Sequence, residues 1–290
     1  MADPKRRLPT NVDGDFYVDE SCIDCGACRW MAPAVFDRAD GASRVFAQPE
    51  GPRAQHRALQ ALVACPTGSI GTESRHGMRP VTESFPDPIG DGVYHCGFHD
   101  EASFGASSYL LVRPEGNVLI DVPRFNRGLL RRIDALGGVD LMFLTHRDDV
   151  ADHERFAAHF GCERIMHRRD RTTGTAGIER WLEGDEPVPL GVDLLAIPTP
   201  GHTRGSACLL YDDRVLFSGD HVAFHLRDQR VYAFSGACWY DWNVQIRSME
   251  KLLEHRFEHI LPGHGAPCRF SADEMREQME RCVAWMRHAA

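Results

Sequence analysis

Residues 139–153 read "VDLMFLTHRDDVADH". The apolar run reads as a buried strand that ends at His146. Behind it, within seven residues, come Asp148, Asp149, Asp152 and His153. Neutral imidazole and carboxylate are the ligand types suited to zinc or non-haem iron. Taken singly, each residue has a plainer role. A lone strand-end histidine is more often a satisfied core residue, and Asp152 fits the N-cap of the helix expected over "DHERFAAHFG".

Working outward, the same arrangement recurs. "PTPGHTRGS" (198–206), "FSGDH" (217–221) and "LPGHG" (261–265) each follow an apolar strand and offer His202, Asp220 and His264. Other expected elements are strands on both sides of "PEGN" in 107–122, a helix over 125–138 ended by glycines and a strand "ERIMH". A closing helix should run over 271–290, capped by Ser271 or Asp273. Strands mixed with helices, with polar residues at the strand ends, imply a layered α/β sandwich.

Together the four strand-end sequences resemble the metallo-β-lactamase superfamily over roughly residues 92–270. The resemblance implies an αββα sandwich and a site for two metal ions. His146, Asp148, His202 and Asp220 would hold one ion, and Asp152, His153, His264 and Asp220 the other. Asp220 would bridge the two, and Asp152 and Asp220 would carry the catalysis. The hydrolases of this family, glyoxalase II among them, read H-x-H-x-D-H in the first loop. Here Asp148 stands at the second histidine, and two extra residues precede Asp152 and His153. Asp149 competes with Asp148 as ligand. The flavodiiron reductases, on the same fold, have H-x-E-x-D-H, a closer match that favours iron over zinc, with zinc the alternative.

A second motif lies upstream. "CIDCGACRWMAPAVF" (22–36) places Cys22, Cys25 and Cys28 in one loop, and "ACPTGSI" supplies Cys65 before Pro66. This C-x2-C-x2-C…C-P pattern resembles single-cluster bacterial ferredoxins and implies a [4Fe–4S] cluster. Four cysteines also bind zinc, but zinc sites usually pair C-x2-C with a second C-x2-C, absent here. The organisation expected is a small α+β ferredoxin-like domain over 8–75, a linker or covering arm over 76–92, and the sandwich over 93–290.

Bulk properties narrow the function. A net charge of −9 argues against nucleic-acid binding, which needs a basic stripe. No apolar run reaches the length of about 18 to 20 residues of a membrane span, and no secretory signal is evident. The six remaining cysteines are scattered singly, which favours a reducing cytoplasm. His221 and His225 are candidates to orient a ligand carboxylate, with a solvent-facing place the equal alternative, while His95, His99 and His167 read as surface or packing residues. Trp239, Tyr240 and Trp242 read as core, with a substrate wall the alternative. No flavin or nicotinamide motif stands out.

Three functions fit. In the first, the cluster passes electrons from an external donor to a di-iron site acting on a small molecule. The second is a metal-dependent hydrolase of a thioester, ester or lactam with a structural or regulatory cluster. A redox or iron sensor is the third. Only about 26 residues follow His264 in this sequence, too few for the helical domain with which glyoxalase II grips glutathione, and a purely hydrolytic site needs no electrons. The redox reading is favoured.

Overall fold

The computed structural model describes residues 2–288. They gather into two compact units. One comprises the chain up to Asn117 with Val122–Val139 and Ala151–Phe156; the other comprises Val118–Asp121, Asp140–Val150 and the chain from Ala157 onward.

In the first unit, strand Phe16–Val18 pairs antiparallel with Ile70–Thr72, Phe16 opposite Thr72. Between them lie the cysteine loop, the short helix Ala27–Met31, a hairpin of Phe36–Ala39 with Ala42–Val45, and the helix Gly51–Ala64. That helix carries Pro52 in its first turn, where the missing N–H costs nothing. It buries Ala58, Leu59, Gln60, Ala61 and Ala64, in which the pairs 58/61, 61/64 and 60/64 fall three or four residues apart on one face. Small residues there let the helix pack close to Ala27–Met31. The stretch expected to be a linker or covering arm carries the helix Met78–Glu83 and the strand Asp87–Gly90. Arg57 binds it through Asp87 at 2.7 Å, and Gln60 donates to the Ser84 hydroxyl at 3.0 Å. Strands Val93–His95 and Tyr109–Leu111 continue antiparallel from Asp87–Gly90.

The second unit holds a parallel ladder of Val118–Ile120, Leu141–Phe143, Glu163–His167 and Arg180–Leu182. Its other sheet runs Val188–Pro189, Leu194–Pro198, Ala207–Tyr211, Val215–Gly219, His259–Pro262, Cys268–Arg269. Only the Val215–Gly219/His259–Pro262 pair in it is parallel. Both strands of that pair are buried along their whole length, as strands covered on both faces must be. Asp241 caps the helix Trp242–Leu252 by accepting from Val244 N–H. Ser271 and Glu274 form a reciprocal capping box at the helix Ala272–His288, so Ser271 is the cap of the two expected. The last two residues of the expected closing helix lie outside the described residues.

The layout positions chemistry at one kind of place. His146, His202, Asp220 and His264 lie one to four residues beyond the C-terminal ends of the strands Leu141–Phe143, Leu194–Pro198, Val215–Gly219 and His259–Pro262. Among the described residues no helix is long and apolar enough to cross a membrane.

Candidate metal centres

The cysteine loop is locked from below by charge. Arg29 and Arg38 hold the Asp24 carboxylate at 2.5 and 2.7 Å. Burial alone would raise that carboxyl, but the two guanidinium groups hold it below its ordinary value. Cys65 emerges as the C-cap residue of the helix Gly51–Ala64. Backbone N–H groups aim at sulfur, Ser43 donating to Cys22 at 3.4 Å, Ser69 to Cys65 at 3.3 Å, and Ala27 to Cys25. Such bonds favour thiolate and tune a cluster's potential. Burial works the other way, pushing the Cys25 thiol up to about 11 and Cys28 higher still. Thiolates in so buried a place need a cation, which iron supplies. Gly105 (φ +83°) passes so close that a Cβ there would lie 2.8 Å from the Cys25 sulfur. All four cysteines are free thiols, and they fit the cluster expected of them.

The second site gathers atoms that have no other partner. His146 Nε2, His202 Nε2 and one Asp149 carboxylate oxygen are buried without a hydrogen bond. Ligand atoms of His146, Asp148 and His202 lie within 4.8 Å of one another, as do those of His146, Asp149 and Asp220. The two aspartates that competed in the sequence therefore enter different groupings. His146 Nε2 is 3.7 Å from Asp149 and 3.8 Å from Asp220, and His202 Nε2 is 3.6 Å from Asp148 and 3.7 Å from Asp220. Asp220 thus faces both histidines. It also accepts from His264 Nδ1 at 2.8 and 2.9 Å and from the His264 backbone N–H at 3.1 Å. A Cβ on Gly263 would sit 2.8 Å from Asp220 and 3.0 Å from Asp149, so only glycine lets the two carboxylates approach.

A second tier of bonds aims the imidazoles. Thr145 donates its hydroxyl to Asp121 at 2.8 Å, which leaves the oxygen to accept from His146 Nδ1 at 3.0 Å. His202 Nδ1 donates to the Ala237 carbonyl at 2.5 Å. Both rings then turn an Nε2 lone pair into the site, as a metal requires. The charges agree. Burial pushes His146 down to about 4, keeping it neutral, and burial with Asp220 close by raises Asp149 well above its ordinary value. Burial also disfavours the Asp220 carboxylate, but the imidazoles of His264, His146 and His202 more than offset it and hold that group low. A divalent cation would take the place of the proton that burial favours on Asp149.

Other expected residues are placed differently. Asp152 belongs to the first unit, and its carboxylate accepts from the Phe125 N–H at 2.8 Å and from Arg155 at 3.0 Å. His153 opens the helix His153–Phe160 and is buried in the same unit. His221, a candidate to orient a ligand, is buried with both ring nitrogens unpaired, and His225 pairs with Asp228 instead. His167 is structural, donating from Nε2 to Gly184 and accepting from Arg169 N–H at Nδ1. His95 and His99 are fully buried, their Nε2 atoms 2.9 Å apart, with Trp30 edge-on to His95. Trp242 packs edge-on against Trp285, but Trp239 and Tyr240 are 63% and 44% exposed. The core reading fails for these two because the chain turns outward after Ala237, with Trp239 lying beside His202 at 6.2 Å.

A strand-end site of histidines and aspartates in an α/β sandwich defines a class. The family description "Metallo-beta-lactamase superfamily" matches residues 91–244, more than half of the chain. The chain belongs to that superfamily and has its αββα fold. Residues 18–72 match "4Fe-4S single cluster domain of Ferredoxin I", so the N-terminal segment is a ferredoxin-like domain. Among individual proteins, the chain is similar to the uncharacterized protein YobT of Bacillus subtilis (strain 168). The two are 28% identical over 62% of this chain and 91% of that protein. It is also 26% identical to the beta-lactamase-like protein 2 homolog of Caenorhabditis elegans, over 51% of this chain and 44% of the relative. Of solved structures, BLEG-1 B3 metallo-beta-lactamase aligns at a TM-score of 0.52 and 17% identity, over 67% of this chain and 99% of that one. DIM-1 metallo-beta-lactamase aligns at 0.52 and 14% identity, over 70% and 96%. At these identities the likeness is one of fold. The chain is a metallo-β-lactamase-fold metalloenzyme with a ferredoxin domain at its front.

Proposed function

We propose that this protein is an oxidoreductase: electrons from an external donor enter at Cys22, Cys25, Cys28 and Cys65, and a small molecule is turned over at the histidine–aspartate site. The observation that carries this reading is the donor set of His146, Asp148 and His202. Two imidazoles and one carboxylate within reach of one point match the facial triad of non-haem iron, a set that zinc also accepts, whereas hydrolytic members carry a third histidine at the place of Asp148. Asp220 would complete that position, and with Asp149 and His264 it would offer ligands for a second ion. Asp152 and His153, which the sequence pattern assigns to the second ion, belong to the first unit. Iron bound there would supply a redox-active Lewis acid to the substrate.

The chain's own residues do the arranging. Asp121, through Thr145, fixes the His146 tautomer, and the Ala237 carbonyl fixes that of His202. Asp220 holds His264 by its Nδ1. Trp239 and Tyr240 stand exposed beside His202 and offer an aromatic wall to a substrate.

Metal analysis of anaerobically purified protein tests the reading. About five to six iron atoms per chain are expected, four in the cluster and the remainder at the second site. About four iron atoms with zinc filling the second site, and thioester hydrolysis without reductant, would replace the proposal with a hydrolase.

A further inference from the structure

One charged feature lies outside the metal centres. A cavity of about 590 Å³ in the second unit is lined by Arg169, Arg204, Arg247 and Lys251, with Asp185 the one carboxylate among its walls. Four cations against one anion leave a net charge of +3 in a concavity of a protein whose overall charge is −9. A concave wall of one sign focuses the field and concentrates the opposite charge.

The walls are fixed by hydrogen bonds that do not consume the charge. Ser248, from the helix Trp242–Leu252, donates to the Pro200 carbonyl at 2.6 Å. Lys251, one turn on, donates to the carbonyls of Pro198 at 2.9 Å and Asp185 at 2.6 Å, so its ammonium is positioned by neutral acceptors. Arg169 pairs with the Asp185 side chain, which accounts for the single anion. Arg204 makes no ion pair among the described residues and rests its guanidinium over the Tyr240 ring at 5.1 Å. Arg247 is exposed and makes neither an ion pair nor a side-chain hydrogen bond among the described residues. Two guanidinium groups and an ammonium therefore line one cavity with their charge uncompensated.

Pro200 and Arg204 flank His202 by two residues on either side, and the Tyr240 N–H donates to the His202 carbonyl at 3.1 Å. The loop that carries a metal-site histidine thus also forms a wall of the cavity. We propose that this cavity is a binding site for a phosphoryl group of a small molecule, beside the metal site and separate from its ligands. A single carboxylate would neutralise one of the three surplus charges. A phosphate monoester or diphosphate brings two or three, with oxygens spaced to accept bidentately from planar guanidinium groups.

The proposal concerns binding and does not depend on whether the metal site is redox or hydrolytic. Its test uses the full-length, metal-loaded protein under anaerobic conditions and follows ADP binding by calorimetry, with acetate as the comparison anion. ADP should bind, and raising salt from about 50 to 200 mM should weaken it severalfold, as expected of a charge-driven contact. Arg247→Glu should weaken ADP at least tenfold. Arg227→Glu, which makes the same charge change at an exposed arginine outside the cavity, should change it less than twofold. Elemental analysis after each titration should find the metal content unchanged. The proposal is overturned if ADP does not bind at millimolar concentration in low salt. It is equally overturned if acetate binds as tightly as ADP, if the two variants weaken ADP equally, or if ADP removes metal in proportion to the heat released.

Discussion

Cys22, Cys25 and Cys28 fall within seven residues of one another, whereas His146, His202, Asp220 and His264 are scattered from position 146 to 264. The first set is shaped by a local turn, held by Asp24 between Arg29 and Arg38, and needs one distant partner, Cys65. The second exists only once several strands are in register, because each of its four residues follows a different strand end. Electrostatics separates them too. Burial raises the Cys25 and Cys28 thiols by more than Arg29 lowers them, while imidazoles around Asp220 overcome its burial and keep it a carboxylate. The cysteine site therefore depends on its incoming iron for thiolate character, and the histidine–aspartate site is already polarised to receive an ion.

If that contrast is right, substitutions at the second site should propagate further than those at the first. The largest effect is expected at Asp220, which faces His146, His202 and His264 together. Asp220→Ala should strip both ions from the site while leaving the brown colour of the cluster. Of the other carboxylates, Asp149→Asn should lower the metal content by about one ion per chain. Asp152→Asn should lower it less, because the Asp152 carboxylate already accepts from Phe125 and Arg155. Elemental analysis of the three variants beside wild type would check the order. A smaller effect is expected one bond removed from the metal. Thr145→Val deletes the hydroxyl that links Asp121 to His146 and should weaken metal binding by about 10- to 100-fold, with little change in fold. Competition with a chelator would measure it, and unchanged affinity would mean that His146 needs no such support.

The same contrast explains what could be read from the sequence. The cysteine motif is contiguous and its chemistry local, so the ferredoxin-like domain was legible without coordinates. The strand ends were legible as well, since apolar runs closing on His146, His202, Asp220 and His264 are a pattern of residue types. The crowded first loop resisted. Spacing alone made Asp148 and Asp149 competitors, whereas the folded turn sends the first toward His202 and the second toward Asp220. The tier behind the ligands was missed, because nothing in "TH" or "GAC" announces that Thr145 or the Ala237 carbonyl will meet an imidazole. The aromatic residues misled for a related reason. "ACWYDW" reads as core by composition, yet the turn that caps the next helix at Asp241 carries Trp239 and Tyr240 to the surface.

The central claim is that electrons entering at the cysteines reach the chemistry at the histidine–aspartate site. Cys25→Ser tests it most directly, because it should bleach the cluster or leave a three-iron form without touching a ligand of the other site. The measurement is dioxygen or nitric oxide consumption by reduced, anaerobically prepared protein, wild type against Cys25→Ser, with the second-site metal content determined in parallel. The account predicts that consumption is lost in the variant while its second-site iron is retained. Consumption at the wild-type rate in the variant, or zinc-supported hydrolysis of a thioester or lactam probe at equal rates in both proteins, would contradict it.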